Sequence, residues 1–134
     1  MSNAHYQKVM NATASQRQLE AQALLRMALL MSDALAANNN EDLNTAVILN
    51  SRLWLFFYSQ IESKQVTLPP DLESNIIRLV AYVVKVSPRA FGADPDTVNS
   101  LISINRNIAA GLSENPEVAD IPPAPAQTSF EISA

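Results

Sequence analysis

The sequence predicts an all-α protein, a small bundle of about four antiparallel helices with a disordered C-terminal tail. Three observations lead there. The 134 residues include only two glycines, against a usual share of about 7%, and strands joined by tight turns depend on glycine. Apolar residues recur at three- and four-residue spacing along the chain. Prolines and asparagines divide that pattern into segments of helix length. With 48% apolar residues, one domain can build one core.

The elements follow in order. Ser15 and Gln18 fit a capping box that opens a first helix running to about Ala37. Its apolar stripe is Leu19, Ala23, Met27, Leu30 and Ala34, widened by Leu24, Met31 and Leu35. The segment before Ser15 reads either as a short additional helix or as a loose arm. Asn38-Asn39-Asn40 breaks the first helix, because asparagine competes locally for the backbone. Asn40 then caps a second helix, with Glu41 and Asp42 favourably placed in its first turn, and this helix extends to about Ser63. Pro69 and Pro70 open a third, which runs to about Val86 and yields before Pro88. Asp94-Pro95 opens a fourth, ending near Gly111. The short connections imply antiparallel neighbours.

Stepping residues at about 100° shows which faces are apolar. On the second helix Leu43, Val47, Leu53, Trp54, Phe57 and Ile61 share one side. Ile48 and Leu55 point almost the opposite way, with Leu49 and Phe56 between. On the third, Leu72, Ile76, Leu79, Val83 and Val86 form one stripe and Ile77, Val80 and Val84 another. A helix apolar on more than one face is either central in a bundle or open to a partner. Asn50 and Asn105 interrupt apolar stripes, and a buried amide requires a hydrogen-bond partner. The expected role of both is to fix register in the core, with ligand contact as the alternative.

Composition removes several functions. There is no cysteine and only one histidine, His5, so disulfides, thiolate sites and the usual nucleophile–base pairs lack parts. Carboxylate pairs such as Asp94 and Asp96 sit at helix starts, where capping accounts for them. Neither glycine belongs to a phosphate loop. The reading is a non-enzyme with no cofactor and no metal. No apolar run exceeds six residues, whereas a membrane span needs about 20. The N-terminal MSNAHYQKVM has no apolar stretch or cleavage site, so the expected location is the cytoplasm. Of the net charge of −4, all resides in 114–134 (Glu114, Glu117, Asp120, Glu131), which contains no basic residue. Residues 1–113 are therefore neutral, and direct nucleic-acid binding is not expected. Arg52, Arg78, Lys85 and Arg106 could bind an anion only if folding brought them together. The division expected is a helical body, 1–113, and a proline-rich acidic tail, 114–134, inert unless Phe130 and Ile132 form a docking motif.

The blocks Tyr6-Gln7, Asn50-Ser51-Arg52-Leu53-Trp54, Leu68-Pro69-Pro70-Asp71-Leu72 with Ile76-Ile77, Leu101 to Ile108, and Gly111-Leu112 together resemble the FlaF family of small flagellar proteins. The resemblance spans about 5–113. It implies a non-enzymatic flagellum biogenesis factor that binds flagellin and supports or regulates its synthesis and export, in the manner of a chaperone. The family motif falls on Arg52, Leu53, Trp54, Asn105 and Arg106. Surplus apolar helix surface suits such a role, since a groove can receive an amphipathic client helix. The expected partner surface comprises Arg52, Trp54, Phe56, Ile77, Val80, Val84 and Arg106, with Ile48 and Leu55 as further lining. Two alternatives stay open: a post-transcriptional regulator acting on flagellin messenger RNA through an RNA-binding partner, and a homodimeric structural or adaptor subunit.

Overall fold

The computed structural model describes residues 3–66 and 68–114, and side chains from Gln16 onward except Leu72 and Glu114. Among them are four helices and no strand: α1 Asn3–Ala36, α2 Asn40–Glu62, α3 Pro70–Ala90 and α4 Pro95–Glu114. The acidic tail expected beyond the body lies, from residue 115, outside the described residues.

Asn38 ends α1. It adopts φ 53°, a left-handed state that asparagine tolerates. The N–H of Asn39 reaches back to Ala34 O at 3.0 Å and that of Asn38 to Leu35 O at 3.1 Å, which satisfies carbonyls that the helix end would orphan. Asn39, rather than Asn40, caps α2. Its side-chain oxygen accepts from the Asp42 N–H at 3.0 Å, and its amide donates to the Asp42 carboxylate at 2.9 Å. Lys64, at φ 62°, closes α2 in the same way as Asn38 closes α1, with the Gln65 N–H on Gln60 O at 2.9 Å.

Three boundaries differ from the expected ones. The Ser15 capping box starts nothing, because α1 is continuous from Asn3. The preceding residues include Ala, Gln, Lys and Met, good helix formers, with no Gly or Pro to interrupt them. The third helix continues through Pro88 to Ala90. Val86 and Ala90 are both buried, and their packing holds a last turn that the proline alone would discourage. The fourth helix likewise runs past Gly111 to Glu114, since a glycine inside a helix weakens it by only about 1 kcal/mol.

The helices close a square: α1 packs on α2 and α4, and α3 packs on α2 and α4, while the diagonal backbones stay apart. Side-chain pairs show the antiparallel order. Ser51 on α2 bonds Ser87 near the end of α3 at 2.9 Å, and Tyr82 on α3 bonds Ser100 near the start of α4 at 2.8 Å. The core holds Leu24, Met31, Leu43, Val47, Trp54, Leu79, Val83, Val98 and Leu101, all essentially inaccessible. On α1 the buried line is Ala21–Leu24–Ala28–Met31, and Leu19, expected in the stripe, is 58% exposed. The strip facing α4 decides what α1 buries, and Leu19 sits away from it. No helix is long and apolar enough to cross a membrane among the described residues.

Candidate functional site

Two features depart from the usual rule of apolar inside and polar outside. The first is a polar node at the bundle centre. Trp54 Nε1 donates to Asn105 Oδ1 at 3.0 Å. The Asn105 amide donates to Leu24 O at 3.0 Å and to Asn50 Oδ1 at 2.7 Å. Asn50 and Asn105 have no exposure and Trp54 has 1%. The node therefore ties α1, α2 and α4 through one amide, which can bond this way in only one register. Phe57 meets the Trp54 ring edge-on at 5.8 Å. Asn50 Nδ2 is without a partner among the described residues.

The second feature is the outer face of α2. Ile48, Leu49, Leu55 and Phe56 are exposed there, flanking exposed Arg52, which has no ion-pair partner among the described residues. Ser51 bonds α3, and Leu49 shares a groove with Leu30, Ala34 and Ala46 beside α1. These two contacts orient the wheel. Ile48 and Leu55 lie toward the α3 shoulder and Leu49 and Phe56 toward the α1 shoulder, at about 100° per residue. The same construction turns the exposed Val84 and Phe91 of α3, and Leu19 of α1, toward α2. Of the large apolar side chains exposed on the described residues, all but Leu25 and Leu29 thus belong to α2 or its two flanks. The groove beside α1 encloses about 440 Å³, with Asp33 and Asp42 also in its lining.

The expected partner residues divide accordingly. Arg52, Phe56 and Val84 are exposed on this side of the bundle, and Ile77 is half-buried along the same line as Val84. Trp54 and Val80 are not on the surface. Trp54 is held in the node, and Val80, 5% exposed, turns into the α2–α3 contact. Arg106 is exposed on α4, on the flank facing α1 and away from α3, so it stands apart from Arg52. Arg78 and Lys85 occupy the outer strip of α3, and the four cations considered for an anion site do not converge. Leu19 and Phe91 were not among the expected lining. The signal for Phe91 was its position one turn beyond Val84 and Pro88; Leu19 gave none, because it fits the periodicity of the core.

A smaller cleft of about 40 Å³ lies at the opposite end of the bundle from the α1–α2 turn, lined by Trp54, Phe57, Ile61, Leu68, Ile108 and Leu112 with others. Arg17 and Glu20 pair at 3.1 Å on its edge. Glu62, one turn after Tyr58, holds the Tyr58 phenol above its ordinary value through a hydrogen bond and its negative charge.

The family model described as Flagellar protein FlaF matches residues 2–112, and the chain belongs to that family. No curated protein and no solved structure matches the chain. The Asn50–Trp54 and Asn105–Arg106 motifs lie within the matched region. In this fold the inward-facing members, Asn50, Trp54 and Asn105, build the node.

Proposed function

We propose that this flagellar protein of the FlaF family binds flagellin through the outer face of α2 and acts as a chaperone-like factor in its synthesis or export. The observation that carries the reading is the cluster of Ile48, Leu49, Leu55 and Phe56 around Arg52. Four large apolar side chains on the solvent face of one helix are more than a monomer's scattered exposure requires. The grooves on either side of α2 suit an amphipathic helix, whose apolar face would enter beside Phe56 and Leu49 while an acidic residue met Arg52. Burying one such aromatic or aliphatic side chain contributes roughly 1.5–3 kcal/mol, so a few contacts suffice for a specific, releasable complex.

The test is titration of purified flagellin monomer into the full-length protein, followed by calorimetry. Binding with a negative heat-capacity change is expected, because apolar surface is buried. No binding by the full chain, together with concentration-dependent mass in sedimentation, would transfer the α2 face to a homodimer instead.

A further inference from the structure

Helix lengths leave part of α1 without a neighbour. The Asn105 amide bonds Leu24 O, which sets α4 against α1. Nine residues beyond Asn105 bring α4 to its end at Glu114, and nine residues before Leu24 bring α1 to Ser15. Counting back from the α1–α2 turn places Glu62, the end of α2, level with Ala14. The first dozen residues of α1 therefore run on past the bundle by roughly 18 Å, at 1.5 Å per residue. The helical repeat puts positions 6, 9, 10 and 13 (Tyr, Val, Met and Thr) in line with the positions of Leu24, Ala28 and Met31, which are core further along. The apolar line of α1 continues where no described residue packs on it.

We propose that the chain's own segment Pro116–Ile121, outside the described residues, covers this overhang. Three observations select it. It follows directly on Glu114, at the foot of the overhang and heading along it. Its reach matches: at about 3.3 Å per extended residue, Glu117 lies about 10 Å past the end of α4. Lys8 lies about 10 Å past Ser15 along the helix. Its charge is complementary, because residues 3–14 carry Lys8 and His5 and no carboxylate, whereas 115–134 carry Glu117, Asp120 and Glu131 and no Lys or Arg. Val118 and Ile121 supply apolar side chains for the stripe, and Pro116, Pro122 and Pro123 keep the segment extended. The tail is then a strap that seats the free end of α1, and not an inert extension. None of this involves the α2 face, so it stands or falls apart from flagellin binding.

The experiment uses the full-length protein at low concentration with a zero-length carbodiimide cross-linker, which joins only a lysine and a carboxylate already in contact. The chain has three lysines, Lys8, Lys64 and Lys85. Linkage of Lys8 to Glu117 or Asp120 within one chain is expected. Linkage of the tail to Lys64 or Lys85 as often as to Lys8 would overturn the proposal. So would linkage found only between differently labelled chains, which would assign the overhang to a second copy. Hydrogen exchange provides the second readout. Replacing Val118 and Ile121 by Ser should speed exchange in residues 3–14 by roughly tenfold, with residues 16–112 unaffected. Equal exchange in the variant and the unmodified protein would also overturn it.

Discussion

The centre of the bundle and the outer face of α2 violate the same rule in opposite directions. At the centre, amides occupy positions where the helical pattern asks for apolar side chains; on α2, apolar side chains occupy positions that face water. The amides are matched: Asn105 uses both protons and its oxygen on Asn50, Leu24 and Trp54. Ile48, Leu49, Leu55 and Phe56 are matched by nothing in the chain's described residues. A polar group buried with its partners specifies a structure, because only one register satisfies it. An apolar group left exposed specifies nothing about its own fold, and its account must be sought in a partner.

Substitutions can break that contrast. The largest effect is expected from Val80→Glu, which places an unpaired carboxylate in the α2–α3 contact and should destabilise by about 3–5 kcal/mol. Val84→Glu, four residues along and 42% exposed, should change stability by no more than about 0.5 kcal/mol. Chemical denaturation of the two variants checks the pair, and equal effects would erase the distinction between core and outer face on α3. Next comes Asn105→Leu. It leaves the Trp54 indole N–H and the Asn50 oxygen without partners, and should lower stability by about 3 kcal/mol. Asn50→Leu should cost less, about 1 kcal/mol, because it orphans one Asn105 proton but also removes the unpartnered Asn50 Nδ2. Denaturation midpoints that reverse this order would mean that Asn50, not Asn105, is the hub. Leu25→Glu, on the shoulder of α1 toward α4, should leave both stability and partner binding within error.

Much of this was legible in the sequence, for physical reasons that differ by region. Helix count, the Asn38–Asn40 break and the Pro70 and Pro95 starts follow from backbone chemistry that acts locally. The two-faced character of α2 and α3 follows from the helical repeat. The polar node was legible only in part. Periodicity marks Asn50 and Asn105 as misplaced, but their meeting depends on the relative heights of α2 and α4, which no local pattern encodes. The same limit explains Trp54 and Val80. Both carry the residue type expected of a binding surface, and only the packing of neighbouring helices turns them inward. Leu19 failed in reverse, since a regular spacing put it in the stripe while the position of α4 moved the stripe's centre to Leu24. Continuation of α3 through Pro88 shows burial of Ala90 prevailing over a local stop.

The most direct test is the affinity of flagellin for the Phe56→Glu variant, measured beside the unmodified protein. Phe56 is 53% exposed, so the variant should fold with an unchanged thermal midpoint. A charge in the centre of the proposed contact should nevertheless weaken flagellin binding by about thirtyfold or more. Binding at unmodified affinity by a properly folded Phe56→Glu protein would contradict the assignment of the α2 face to the client.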